Sequence, residues 1–355
     1  MLNHTFVPSR NYPLNCWWVA GFSAEVTRKP LRRVLLNRAV VFYRCEDGTV
    51  VALEDRCVHR WAPLSEGTVA GDDLICPYHG FRYNQHGKCV HIPTEDKVPR
   101  RARVRNFPVR EDAPFIWIWM GDPARAGDLP APLPWVKRCD WLTLKGSLPV
   151  ACNYMLIQEN VLDLTHFAYL HANTFQQPGW DGPPSEVIIE AGHVGYRQVF
   201  DPIRLAPFQA IPTGLGSEKA VKRTDWGIFV SPAIHVAGID IEDPSPESQC
   251  RSRYSSRIVH ATTPESEVRS HYWWVFSQDY AIDDHALQAQ VLEVIKATFA
   301  EDKHLLEIIQ DTIDRDDRHD TATELSIGAD RAGLHARRML EAALQAESRN
   351  EASTR

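Results

Sequence analysis

Between residues 15 and 121 the apolar positions fall in short runs rich in β-branched and aromatic side chains. Trp17 to Phe22, Val34 to Leu36, Val40 to Tyr43 and Val50 to Leu53 are such runs, and they fit half-buried, pleated strands. Turn residues such as Glu46-Asp47-Gly48 separate them, and Val104 to Val109 and Phe115 to Met120 continue the pattern. No 3.6-residue period appears here. The pattern therefore predicts a small antiparallel β domain.

Asp122 to Pro134 holds four prolines in thirteen residues. That composition makes a stiff, extended connector, so the domains are expected at 1–121 and 136–355, with a linker over 122–135. Beyond it the element types mix. A helix is predicted from about Leu156 to Leu170. Strands are predicted at Val187 to Glu190, Trp226 to Val230, His235 to Ile239, Arg257 to Ala261 and His271 to Phe276. Long helices follow over roughly Asp284 to Thr312 and Asp330 to Ala346, and Glu347 to Arg355 is expected to fray. The fold class is α+β: an all-β N-terminal domain, then an antiparallel sheet with helices.

Size and charge narrow the partners. The chain has 355 residues, enough for about two domains with cores of their own. Its 39 basic and 46 acidic residues leave a net charge of −7, which argues against nucleic acid or an anionic membrane surface as partner. The run Phe115 to Met120 is far too short to span a bilayer. The chain does not open with a basic segment followed by an apolar one, so no secretory signal is expected and a cytoplasmic location follows by default. In a reducing compartment the eight scattered cysteines are expected as thiols or metal ligands rather than disulfides.

One motif carries chemistry directly. Cys57-Val-His59 is followed, after sixteen residues, by Cys76-Pro-Tyr-His79-Gly80. Each half offers one thiolate and one imidazole from one loop. Zinc takes two Cys and two His tetrahedrally. A Rieske-type [2Fe–2S] cluster takes them with both Cys on one iron and both His on the other. Zinc fingers pair Cys with Cys and His with His, whereas each half here is Cys then His, which favours the cluster. Pro77 and Gly80 would shape a tight loop whose N–H groups can point at sulfur. Neutral imidazoles make such a cluster easier to reduce; Rieske centres lie around −150 to +300 mV against about −400 mV for plant-type ferredoxins. His86 and His91 lack a Cys at matching spacing and read as ordinary strand or surface residues.

A second constellation, Glu159-Asn160 through Asp163, His166 and His171, is weaker alone. On one continuous helix His166 and His171 would lie about 140° apart. They can face one metal only if the helix ends between them. Two His and one carboxylate form the facial triad of non-haem Fe(II) oxygenases. Asp302 is the candidate carboxylate, because Ile295, Phe299, Leu306 and Ile309 surround it at helical spacings and a carboxylate in an apolar stripe is costly unless paired or metal-bound. A buried salt bridge is the alternative. Glu301 points about 100° away, and Asp311 lies on a more polar face.

With both constellations in view, the chain resembles the Rieske non-haem iron oxygenases, the oxygenase components of the vanillate and dicamba O-demethylase type. The strongest matching pieces are Cys57 to Leu64, Cys76 to Phe81 and Glu159 to His171. Thr263 to Glu267, His271-Tyr272 and Glu301 to Lys303 match more weakly. Trp61 departs from the pattern, where Phe or a small residue is common; it leaves the ligands untouched and bears only on local packing.

The resemblance implies a Rieske domain and a helix-grip catalytic domain, with mononuclear Fe(II) on His166, His171 and Asp302. It implies that Asn160 sits near that iron. It also implies that Asp163 links an iron-ligating histidine to the Rieske histidine, here His79, of a neighbouring subunit in a head-to-tail homotrimer. Electrons would come from NAD(P)H through a separate reductase, with or without a ferredoxin, and O2 would be the cosubstrate. No Gly-x-Gly-x-x-Gly motif is present for the chain to bind the nucleotide itself. The implied reaction is hydroxylation or O-demethylation of an aromatic acid or ether, in aromatic compound catabolism. Ring dihydroxylation, sterol-type hydroxylation, and electron transfer or ligand binding without working mononuclear iron are the alternatives. The pocket should be mostly apolar with few polar anchors. Trp226, Phe229, His260, Trp273 and Trp274 are candidates for it. His260 is singled out because the similar position contacts a substrate carboxylate in dicamba-type relatives; a hydrogen-bonded strand histidine is the alternative. Arg253 and Arg257 are out of phase with His260 and should face away from it.

Overall fold

The structure is a computed structural model that describes residues 12–175, 182–190, 192–245, 251–316 and 324–353. It forms two compact units. The first comprises Tyr12–Leu129 and Thr263–Glu267. Its strands are β1 (Trp17–Phe22), β2 (Leu31–Leu35), β3 (Arg38–Arg44), β4 (Val50–Glu54), β5 (Thr68–Ala70), β6 (Asp73–Ile75), β7 (Arg82–Tyr83), β8 (Cys89–His91), β9 (Val109–Asp112) and β10 (Phe115–Trp119). They form three sheets, in the orders β1-β10-β9, β2-β3-β4 and β5-β6-β7-β8. The predicted strand over Val104 to Val109 is absent as a unit. Arg103 and Asn106 make only isolated bridges, to Lys88 and Leu53, and pairing resumes with β9.

Between the second and third sheets lies a core of Val41, Tyr43, Leu53, Leu64, Leu74 and Tyr83, which also takes in Cys57, Cys76 and Cys89. Placing both candidate thiolate ligands inside an apolar cluster costs free energy unless they are paired or metal-bound. Thr263 to Glu267 was not legible as part of this unit. Its backbone accepts from Leu36 and Asn37, and Thr263 Oγ1 donates to the Val19 carbonyl at 2.7 Å.

The second unit holds a seven-stranded antiparallel sheet of β11 (Leu142–Val150), β12 (Glu186–Glu190), β13 (His193–Arg204), β14 (Ala220–Ser231), β15 (Ile234–Glu242), β16 (Arg253–Ser266, whose tip belongs to the first unit) and β17 (Arg269–Gln278). Its order is β11-β17-β16-β15-β14-β13-β12, a meander closed by the first strand returning to pair with the last. The helices are α1 (Tyr154–Leu162), α2 (Ala172–Phe175), α3 (Pro207–Thr213), α4 (His285–Arg315) and α5 (Arg331–Ser353). β11, β13 and α3 were not foreseen, and α5 runs to Ser353, into the segment expected to fray.

The 31-residue α4 organises this unit. Phe299, Asp302, Leu306 and Gln310 are its buried stripe, at the three- and four-residue spacing of one helical face. Phe299 and Leu306 pack against Tyr272, Trp274 and Ile157. Each such burial is worth roughly 1.5–3 kcal/mol. Further along, Gln310 Oε1 accepts from the Asn153 N–H and Glu307 Oε1 from the Ala151 N–H, both at 2.8 Å. The helix that carries Asp302 thereby also holds the entry to α1. On the far side of α1, Glu159 is paired with Arg337 of α5.

Candidate functional site

The candidate Rieske ligands sit on two loops, one after β4 and one between β6 and β7. Both loops are tight: Trp61 N–H bonds to the Cys57 carbonyl and Gly80 N–H to the Cys76 carbonyl, at 3.0 and 3.1 Å. Gly80 has φ +70°, a conformation that a side chain would strain. Cys57 and Cys76 are buried, whereas His59 and His79 are exposed. The imidazole rings are 4.5 Å apart between centroids, and Phe81 stacks on His59. Burial pushes the Cys76 thiol up, and the backbone N–H groups of Tyr78 and His79 oppose this by bonding to its sulfur. Tyr83 Oη lies 3.1 Å from Cys57 Sγ. The donor set fits a cluster with a buried sulfur-ligated iron and an exposed histidine-ligated one. Trp61 displaces nothing: it has φ +61°, is 69 % exposed, and lies under Arg56.

In the second unit the predicted helix over Leu156 to Leu170 breaks. Asn153 caps α1, its side chain accepting from the Met155 N–H. α1 then ends at Leu162, because Asp163 is extended (φ −125°, ψ 107°). Asp163 starts a 3-10 turn over Leu164–Ala168, with its side chain accepting from the Thr165 N–H at 2.8 Å. Its backbone carbonyl accepts from His166 Nδ1 at 2.6 Å. The break removes the obstacle of a continuous helix, and His166 and His171 turn to one point.

Asp302 meets them there. His166, His171 and Asp302 offer ligand atoms all within 4.8 Å of one another. Asp302 Oδ1 is 3.6 Å from His166 Nε2 and 3.2 Å from His171 Nε2. Both Nε2 atoms are buried without a hydrogen-bond partner. Two orphaned imidazole nitrogens facing one carboxylate oxygen fit a metal better than they fit each other. Asn160 Nδ2 donates to Asp302 Oδ1 at 3.2 Å.

Glu301, set aside in the sequence because of its helical angle, is part of the site. Its Oε2 is 2.7 Å from His171 Nδ1, and its Oε1 accepts from Thr174 Oγ1. Burial disfavours charge on both histidines. It holds His166 below its usual range, while at His171 the two carboxylates outweigh it and the net direction is up.

A cavity of about 390 Å³ adjoins these residues. Phe167, Phe175, Phe208, Val291, Ile295 and Phe299 are among its apolar lining, and His260 lies in its wall. His260 Nδ1 is 2.5 Å from Tyr272 Oη. Burial lowers the His260 pKa to about 4, so the ring is neutral near pH 7. A phenol that donates to Nδ1 leaves Nε2–H as the ring's free donor. Other expected pocket residues lie elsewhere. Phe229 and Trp273 do not line the cavity. Phe229 is fully buried and Trp273 stacks on His271; alternation puts Trp273 on the face opposite Tyr272 and Trp274. Trp274 packs against Phe299 within the core. Trp226 touches the lining, but its indole N–H is donated to Asp240 at 2.9 Å and its ring lies under Arg257. Arg257 in turn pairs with Asp240 at 2.9 Å.

Residues 16–108 match the Rieske [2Fe-2S] domain. Residues 150–346 match the vanillate O-demethylase oxygenase C-terminal domain. The chain belongs to this oxygenase family. It is the oxygenase component of a Rieske non-haem iron monooxygenase, an oxidoreductase. The dicamba O-demethylase oxygenase component of Stenotrophomonas maltophilia is 34% identical over 313 residues, 83% of this chain and 87% of that protein. The iron–sulfur subunit of the toluene-4-sulfonate monooxygenase system of Comamonas testosteroni is 34% identical over 304 residues, 82% and 86% of the two chains. The crystal structure of dicamba monooxygenase bound to dicamba superposes with a TM-score of 0.83 at 30% identity, covering 97% of this chain and 99% of that one. Among the described residues no helix is long and apolar enough to cross a membrane, and no disulfide is formed.

Proposed function

We propose that this chain oxidises an aromatic acid or aryl ether at a mononuclear Fe(II) held by His166, His171 and Asp302, by hydroxylation or O-demethylation. The observation that carries this is the convergence of those three side chains, with two unpartnered Nε2 atoms, beside an apolar cavity. Iron bound there would supply O2 activation, and a cluster on Cys57, His59, Cys76 and His79 would supply single electrons from an NAD(P)H-dependent reductase. For an aryl methyl ether the balance is R–OCH3 + O2 + NAD(P)H + H+ giving R–OH + HCHO + H2O + NAD(P)+. Hydroxylation of the methyl carbon gives a hemiacetal, which releases formaldehyde and the phenol.

The chain's own groups orient and exclude. The Asp163 carbonyl and Glu301 each take an Nδ1–H, which leaves the Nε2 lone pairs of His166 and His171 free for metal. Asn160 steadies Asp302. The Phe and Ile side chains of the cavity keep water from the reacting carbon. His260, neutral and tethered by Tyr272, presents an Nε2–H to an acidic or ether oxygen. The aromatic acids in the names of the relatives, dicamba and toluene-4-sulfonate, support that choice of substrate. A head-to-tail homotrimer, in which His79 of one subunit meets Asp163 of the next, is the assembly that this reading requires.

Iron analysis of the reconstituted protein tests the metal content. Three irons per chain are expected, and two would leave no mononuclear site. Formaldehyde release from a panel of methoxybenzoates, with reductase and NAD(P)H, then tests demethylation. Hydroxylated product without formaldehyde would assign the reaction to ring or methyl hydroxylation.

A further inference from the structure

The cavity has a second polar region that the site above does not use. Gln209 on α3 and Asp225 on β14 both line it, and each is only 3 % exposed. Behind them lies Arg223, whose side chain is wholly buried. Its Nη1 donates to Gln209 Oε1 at 3.1 Å and its Nη2 to Asp225 Oδ2 at 3.0 Å. The guanidinium also sits over the Phe200 ring at 4.5 Å.

A guanidinium has donors only, so it fixes the amide of Gln209. Oε1 must face Arg223, and the Nε2 amino group must turn away. Among the described residues nothing accepts from that amino group, and it opens on the cavity. A donor that opens only on a mostly apolar cavity has water or a bound ligand as its partner, and a ligand that displaces the water without accepting from it loses that bond. Beside it stands a carboxylate whose charge Arg223 balances. The wall therefore offers a donor and an acceptor side by side.

Sheet register gives its distance from His260. Asp225 pairs with Ile239, and Ile239 with Ser256. Ser256 and His260 lie on one strand and both line the cavity. Four residues of strand separate the two rows by roughly 13 Å. His260 and the Gln209–Asp225 pair thus belong to opposite ends of one elongated space.

We propose that Gln209 and Asp225, fixed by Arg223, form a distal polar anchor. It reads the substrate end remote from the oxidised carbon and takes a neutral group that both accepts and donates, a hydroxyl or a carboxamide. This rests on the reading of the cavity as the substrate pocket. A hydrogen or alkyl group at that end leaves the amide of Gln209 unmade. A carboxylate there meets the charge of Asp225.

The test uses holoenzyme and 4-methoxybiphenyls bearing hydrogen, hydroxyl, carboxamide or carboxylate at the 4′ carbon, with binding measured by calorimetry. Hydroxyl and carboxamide compounds are expected to bind roughly tenfold or more tightly than the other two. Gln209→Met, which keeps shape and removes the amide, should bring the ratio of hydroxyl to hydrogen compound near one. Gln209→Glu keeps an acceptor for Arg223 and removes the donor, and it too should lose the preference. Cluster absorbance and melting temperature verify that both variants fold. A preference unchanged in both, or no binding of any of the four compounds, overturns the anchor. Formaldehyde is assayed separately. Selective binding without formaldehyde from any of the four would count against demethylation and leave the anchor standing.

Discussion

Glu301 Oε2 lies 2.7 Å from Nδ1 of His171, one residue before the carboxylate that faces the same histidine from its other side. His171 is thus held between two carboxylates of α4, one on each ring nitrogen. Such an outer carboxylate fixes the tautomer and raises the basicity of a ligating imidazole. Glu301→Gln should keep the fold and the cluster spectrum. Its Fe(II) affinity should fall about 10- to 100-fold, measured by equilibrium dialysis of protein depleted of mononuclear iron. Affinity equal to that of the unaltered protein would reduce Glu301 to a surface-side partner of Thr174.

Asp163 does two jobs with different atoms. Its carboxylate caps the turn through the Thr165 N–H and Oγ1, while its carbonyl holds His166. Asp163→Ala loses the cap, worth about 1 kcal/mol, so it mixes stability with function. Asp163→Asn keeps an acceptor for Thr165 and removes the charge. That variant is expected to bind three irons per chain yet to turn over at least about tenfold more slowly. Full turnover in Asp163→Asn would remove the charge of Asp163 from the electron route.

Tyr83 is buried, and its hydroxyl lies against Cys57 Sγ. Hydrogen bonds to cluster sulfurs help set the reduction potential, because they stabilise the extra negative charge of the reduced state. Tyr83→Phe should therefore lower the midpoint potential of the cluster, read by spectroelectrochemical titration of its visible absorbance. The stability cost should be about 1 kcal/mol. A potential that stays put or rises would rule out donation to the sulfur.

Burial holds His260 at about 4 and His235 well below its usual range. An unfolded chain protonates both near pH 6.5, so it binds more protons than the folded chain between that pH and the folded values. Stability should accordingly be full above pH 6.5 and fall as the pH drops toward 4. For His260 the loss is about 3 kcal/mol. Melting temperatures taken across that range should show the fall, and His260→Gln should flatten part of it. Parallel wild-type and variant profiles would assign the acid lability to other groups.

The chain was legible wherever chemistry is local. Cys57, His59, Cys76 and His79 lie in two short loops, and their spacing favours a mixed-ligand cluster over zinc. β1 and β4 were readable as short runs of β-branched and aromatic residues, and α4 from its helical period. The site around His166 was only half legible. A helix pattern runs straight through Asp163, and nothing in that period says that its side chain will leave the helix and cap a new turn. Glu301 was discounted by its angle from Asp302, yet a Glu side chain is long enough to reach round to the back of His171.

Legible in the sequence are the Rieske-type donor set, the two-part α+β order and the set of side chains able to hold a second iron. Those depend on residue type and short spacing. The folded chain alone shows that Asp302 faces both His166 and His171 rather than a salt-bridge partner, that Glu301 stands behind His171, and which aromatic residues line the cavity. Strand alternation allows either face until the helices choose one, and α4 makes that choice by packing Phe299 and Leu306 on the sheet. The same packing sets the Nε2 atoms of His166 and His171, 136 and 131 residues before Asp302 in sequence, against a single carboxylate oxygen.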